Sequence, residues 1–201
     1  MEYRYRIIDR AIAYQGFFTL SEYRLQHERF AGGWSDEISR LCFERGDAVA
    51  VLLWDPRRDA VVLVEQFRVG ALGRPYSPWL YEIGAGITGP GETREEVARR
   101  EAVEEAGCTV EALAFVCEYL CSPGGTSEST ALYVGCVDSH GVGGIHGLAH
   151  EHEDIRVFVV PRAEAMAMIG GRLNSAAVII ALQWLALNRE RLVAEWLPAG
   201  G

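Results

Sequence analysis

Loose alternation of apolar and polar residues from Tyr3 to Tyr14, and clearer alternation from Phe17 to His27, predicts two strands. Ala31-Gly32-Gly33 is a turn signal, and Ser35 to Glu44 returns as a third strand. A small antiparallel unit is therefore expected over 1–46, followed by a main domain over 47–201. Two apolar runs, Ala48 to Trp54 and Ala60 to Gln66, predict buried strands joined by Asp55-Pro56-Arg57-Arg58-Asp59. Trp79 to Ile83 reads as a short strand, and Thr93 to Ala106 as a helix. Val110 to Leu120 and Ser129 to Val137 are strands around a Gly/Ser/Pro loop. A long loop rich in Gly and His covers 138–154, then Ile155 to Val160 is a strand and two helices span 162–170 and 175–195. Strands and helices mix without a regular βαβ repeat, so the pattern favours an α+β class or a three-layer sandwich over a doubly wound sheet.

Composition narrows the partners. Lys and Arg number 19 against 28 Asp and Glu, a net charge of −9. A nucleic-acid partner needs a basic face and is not expected. A small anion can still bind where local arginines or a metal cation reverse the field. Glycine, at 22 of 201 residues, exceeds its usual share of about 7% and points to loops that approach something closely. The five cysteines are odd in number and form no paired CxxC sets, so reduced, mostly buried thiols in a cytoplasmic protein are expected, without a zinc site. The first ten residues carry charges throughout and no apolar core of a secretory signal. The most apolar stretch, Ala176 to Leu187, is too short to span a bilayer, so no membrane partner is expected.

The richest chemistry lies in Gly86 to Cys108, GITGPGETREEVARREAVEEAGC. Thr93 followed by Glu96 fits a capping box, and Gly107 is a C-terminal stop. Val97, Glu101 and Glu105 stack four apart on one stripe, with Glu104 three residues beyond Glu101. Like charges at this spacing destabilise an isolated helix by about 0.2–0.5 kcal/mol per pair. Arg99, Arg100 or a divalent cation must offset that repulsion. The stretch is either a solvated acidic face or a site for Mg²⁺ or Mn²⁺, which take hard oxygen ligands together with phosphate oxygens. The glycine-rich GAGITGPG turn just before the helix favours the second reading.

The order Gly86, five residues, Glu92, seven residues, Arg100-Glu101, then Glu104-Glu105 and Gly107 resembles the Nudix box at every fixed position. Its apolar positions hold Ala102 and Cys108. The resemblance implies the Nudix fold, a mixed β-sheet sandwiched between helices. It also implies hydrolysis of a nucleoside diphosphate linked to another moiety. YQGFF (Tyr14 to Phe18), FERGDA (Phe43 to Ala48), SPGGTSE (Ser122 to Glu128), GGIHGLAHEHEDIRV (Gly143 to Val157) and NSAAVIIALQWL (Asn174 to Leu185) are similar to the bacterial ADP-ribose pyrophosphatases. Pro123, about fifteen residues past the box, resembles the proline that marks ADP-ribose specificity in that group.

The implied reaction is ADP-ribose plus water to AMP and ribose 5-phosphate. It is assisted by two or three Mg²⁺ ions, or Mn²⁺, that neutralise the diphosphate and lower the pKa of the attacking water. The metal ligands implied are Glu101, Glu105, the carbonyl of Ala85, and Glu153, with Glu104 reaching a metal through water. Arg100 is implied to hold the box carboxylates. Glu151 is the implied general base, with Glu153 able to exchange roles with it. His150 and His152 flank Glu151, and as cations at low pH they would depress its pKa or compete for metal. Phe17 is implied to stack on adenine; Arg40, Arg45 and Arg68 to meet phosphate or nucleoside; and Ile87, Ser122, Gly124 and Glu128 to contact the terminal ribose and phosphates. Leu41 stands where relatives carry an acidic residue that contacts adenine, which implies a wider tolerance of the base. The N-terminal strands are implied to swap in a homodimer, with some substrate contacts made in trans. Another nucleotide sugar, NADH or a dinucleoside polyphosphate is the alternative substrate, and a non-catalytic ADP-ribose-binding module the remote one.

Overall fold

The computed structural model describes residues 3–197. Backbone contacts divide the chain into two units: Met1–Asp47 with Leu120–Ser129, and Ala48–Tyr119 with Thr130–Gly201.

In the first unit β1 (Tyr5–Gln15), β2 (Thr19–His27) and β3 (Ile38–Glu44) form an antiparallel sheet in that order. Every residue of β1 is exposed, Ile7, Ile8 and Ile12 included. The segment 120–129 adds to β3. The Phe43 N–H donates to the Gly125 carbonyl at 2.8 Å, and the Ser127 N–H to the Phe43 carbonyl at 3.2 Å. Ser127 Oγ donates to Glu44 Oε2 at 2.6 Å.

The second unit contains β4 (Ala48–Asp55), β5 (Ala60–Phe67), β6 (Trp79–Glu82), β7 (Gly84–Ile87), α1 (Arg94–Ala106), β8 (Ala112–Leu120), β9 (Ser129–Cys136), β10 (Gly144–His146), β11 (Ile155–Pro161), α2 (Arg162–Ala167) and α3 (Ala176–Trp196). The sheet order is β10-β11-β5-β4-β9-β8, with β6 added to β5 and β7 to β4. β4 and β9 run parallel. Successive side chains of a strand point to opposite faces. Val49, Val51 and Leu53 of β4 therefore join Val62 and Val64 of β5 under Val97, Ala98 and Ala102 of α1. Ala50, Leu52 and Trp54 join Val61 and Leu63 against Val178, Leu182 and Leu185 of α3. Each such fully buried Leu or Val contributes about 1.5–3 kcal/mol. The result is the α+β arrangement expected, a mixed sheet between helices.

Asp55 closes one end of β4. Its buried carboxylate accepts from the backbone N–H groups of Arg57, Arg58 and Ser139, and from Ser139 Oγ at 2.7 Å. Those donors and Arg58 outweigh the cost of burial and hold its pKa well below the carboxylate range. The Asp55 carboxylate thus ties the β4–β5 turn to the root of the 138–154 segment.

Two expectations change. The glycine-rich turn before the helix is a strand, β7, which pairs with β4 from Ala48–Ile87 to Val51–Gly84. With two glycines in four residues it carries no alternation to read. The 138–154 loop also holds β10 and a 3-10 turn at Ala149–Glu151. All five cysteines are free, but only Cys108 and Cys136 are buried, and Cys121 is exposed. Among the described residues, no helix is long and apolar enough to cross a membrane.

Candidate active site

The phase of α1 is set at its ends. Thr93 caps it in a complete capping box, its N–H donating to Glu96 Oε2 at 2.8 Å and its hydroxyl accepting from the Glu96 N–H. Gly107 ends it in the left-handed region at φ 64°, where a side chain would be strained. With that phase, Glu101 and Glu105 face β7 and are 7% and 2% exposed.

β7 receives them because it lacks side chains there. A Cβ on Gly86 would meet Glu101 Oε1 at 1.6 Å, so the Glu101 carboxylate lies directly on the strand. The Ala85 N–H donates to Glu105 Oε2 at 2.9 Å. Burial pushes the Glu105 carboxyl up to about 8; Glu101 and Glu153 raise it further, while the Ala85 N–H and the charge of Arg68 oppose the shift. Glu101 is also raised, by burial first, with Arg100 opposing and Glu104 and Glu153 adding repulsion.

Arg100 offsets much of the repulsion expected from the spacing. Its Nε donates to Glu92 Oε1 at 2.9 Å, and its Nη1 to Glu101 Oε1 at 2.7 Å and Glu104 Oε2 at 2.9 Å. Its Nη2 reaches the Ile87 carbonyl at 3.4 Å. These carboxylates hold its pKa above the usual arginine value. Arg99 takes no part and donates to the Val110 carbonyl.

The 138–154 segment brings two further carboxylates. Glu153 accepts from the Leu148 N–H at 3.0 Å, and its charge reaches both Glu101 and Glu105. Glu151 stands exposed on the 3-10 turn, 3.7 Å from His150 Nε2. Arg68, just past β5, donates through Nε to Glu82 Oε2 at 2.7 Å. Ile87 is partly exposed at the end of β7. Ala85, Ile87, Arg100, Glu101, Glu104, Glu105, Glu153 and Arg68 thus form one connected group, while Glu151 stands off in solvent.

The other expected substrate contacts belong to the first unit. Phe17 is 89% exposed and meets Phe18 edge-on at 4.7 Å. Arg45 lies over the Phe18 ring and 3.5 Å from Glu128. Arg40 donates to the Ser39 carbonyl. The Ser122 carbonyl accepts from Gly125 and Thr126, which makes Ser122 to Gly125 a tight turn, and open space surrounds Gly124.

The chemistry of the donors fits a divalent cation: hard oxygens, on two buried carboxyls whose pKa values are raised by burial first and by neighbouring carboxylates second, both of which a cation would offset. Among the described residues, no three His, Cys, Asp or Glu side chains form a ready cage. Glu82 and Gln66 escaped the sequence reading. The signal available for Gln66 was a single amide inside the apolar run of β5.

The NUDIX domain family matches residues 44–182. The chain belongs to the Nudix family. An ADP-ribose pyrophosphatase of Escherichia coli (strain K12) is 50% identical over 191 residues, covering 94% of this Nudix chain and 91% of the relative. One from Haemophilus influenzae is 44% identical, covering 94% and 89%. A GDP-mannose pyrophosphatase of Pectobacterium atrosepticum is 31% identical, covering 96% and 97%. The crystal structure of an ADP compounds hydrolase shares the fold, with a TM-score of 0.70, 21% identity and 96% of each chain covered.

Proposed function

We propose that this Nudix enzyme hydrolyses the pyrophosphate bond of ADP-ribose, giving AMP and ribose 5-phosphate. The observation that carries the reading is 50% identity, sustained over 94% of the chain, to a protein named for that activity. Bound Mg²⁺ or Mn²⁺ supplies charge neutralisation at the diphosphate and activation of the attacking water. Glu101, Glu105, Glu153 and the Ala85 carbonyl are assigned as its ligands, and Glu104 as an outer carboxylate. Arg100 keeps Glu101 and Glu104 apart from each other's charge and oriented. Glu151 is assigned as the general base, because its exposed place on a short turn leaves it free to close over substrate. Arg68 and Ile87 of the second unit, and Phe17, Arg40, Arg45, Ser122, Gly124 and Glu128 of the first, are assigned to holding substrate.

Residues 47–201 form the hydrolase domain in this reading, and 1–46 a dimerisation unit. The fully exposed β1, with its isoleucines and tyrosines, supports a homodimer that exchanges these strands. A stable, active monomer in sedimentation would reject it. Five free thiols suit a reducing cytoplasmic setting.

The test is product analysis with ADP-ribose and Mg²⁺ beside GDP-mannose, because one relative at 31% identity carries the second name. AMP and ribose 5-phosphate are expected. Turnover of GDP-mannose alone would keep the diphosphate chemistry and reject the substrate.

A further inference from the structure

Gln66 is the last residue of β5 on the face that Val62 and Val64 turn to α1, and the one polar side chain there. It is only 7% exposed, and its Nε2 is the one buried side-chain nitrogen or oxygen among the described residues without a hydrogen-bond partner. A buried amide donor left without an acceptor is costly and uncommon. Its place in the strand says what it faces. Val62 and Val64, two and four residues earlier, pack under α1 in the cluster that holds Val97 and Ala102. Strand periodicity carries Gln66 on to the same face. Arg68 follows two residues later, and its charge bears on the buried Glu105. Across the sheet Gln66 pairs with Leu80, two residues from the Glu82 that anchors Arg68. The unpartnered donor therefore stands on the α1 side of the sheet, at the end of β5 that leads from the apolar core to the arginine.

Burial of an apolar residue of the same shape would be cheaper at this position, and neither carboxylate of the site takes the donor. We propose that the Gln66 side-chain amide is a substrate-holding group that donates a hydrogen bond to an anionic oxygen of the bound nucleoside diphosphate. Rotation about the last side-chain torsion, which is soft and two-fold, lets the NH₂ turn toward the ligand. A neutral donor suits this place. A second cation beside Arg68 would compete for the metal-binding carboxylates, whereas an amide adds a directed contact without net charge. The inference rests on the proposed diphosphate chemistry and deepens it.

The experiment compares wild type, Gln66→Met and Gln66→Glu. Methionine keeps the shape and removes the orphaned donor; glutamate places an acceptor against the phosphate. Steady-state kinetics with ADP-ribose and Mg²⁺ are run with thermal melting, and ADP binding is measured by calorimetry in EDTA. For Gln66→Met we expect a higher melting temperature, at least a tenfold fall in kcat/KM, and weaker ADP binding without metal. Gln66→Glu should lose more of both activity and binding. A melting temperature that rises while kcat/KM and ADP affinity stay within twofold of wild type would overturn the proposal, since the amide would then be only a packing defect. Should Gln66→Met fail to fold, Gln66→Asn, which withdraws the donor by one methylene, takes its place with the same expectations. If wild type turns over another nucleoside diphosphate and not ADP-ribose, the substrate reading fails alone, and the comparison is repeated on that compound.

Discussion

Replacing Glu105 by Gln should make the metal-free protein more stable while destroying its activity. Glu105 is 2% exposed, and burial pushes its carboxyl up to about 8 in the fold from the ordinary 4.5. The folded chain therefore binds the proton more tightly than the unfolded chain. The stability this provides is complete below pH 4.5 and is lost as the pH rises through 8. Each unit of difference corresponds to about 1.36 kcal/mol, so the loss accumulated by pH 8 is on the order of 4 kcal/mol. For a chain of this size that is about 8–16 °C in melting temperature. Glutamine keeps an oxygen for the Ala85 N–H and cannot ionise. Thermal melting in EDTA should show wild type and Glu105→Gln close together at pH 5 and the variant well ahead at pH 8. Millimolar Mg²⁺ should restore the wild type and leave the variant unmoved, because binding to the folded state alone adds stability by mass action. The variant's kcat should fall by orders of magnitude. A difference between the two melting temperatures that does not change from pH 5 to pH 8 would refute the reasoning, since burial of an ionised carboxylate would then cost nothing.

Three further outcomes are expected. Glu151→Gln should lower kcat by about 10²–10⁴-fold with little change in melting temperature; retained turnover would move the base to Glu153. Gly86→Ala drives a methyl into the Glu101 carboxylate, so kinetics should show a loss on the order of 10²-fold or more and titration calorimetry a weaker Mg²⁺ affinity. Thr93→Ala removes half the capping box and should cost about 1 kcal/mol, read as a melting temperature about 2–4 °C lower with kcat unchanged.

Much of this site was legible because its chemistry is local in sequence. The spacing of Thr93, Glu96, Arg100, Glu101 and Glu105 on one helix fixes their relative directions before any tertiary contact forms. Periodicity alone left Arg99 and Arg100 both open, because they differ only in the face they present once α1 meets the sheet; the resemblance alone singled out Arg100. β7 was misread for a related reason. Its glycines are present to admit carboxylates from another element, and a strand that serves by lacking side chains leaves no alternation. Gln66 was hidden by its neighbours, since an apolar run tells of burial and says nothing about which face a lone amide shares.

The two sheets end very differently. One edge of the eight-stranded sheet is β10, three residues long and beginning with a glycine, which offers a stray strand little to pair with; the other is β8, nine residues long. The three-stranded sheet stops at β1, eleven residues of open edge carrying Ile7, Ile8 and Ile12. An edge of that length is a template for adding foreign strands whenever nothing covers it. Handling of this protein should therefore be limited at its amino-terminal border. Truncating β1, or placing lysines along it, should keep dilute preparations clear of fibrillar or amorphous precipitate long before the catalytic half of the molecule has begun to unfold.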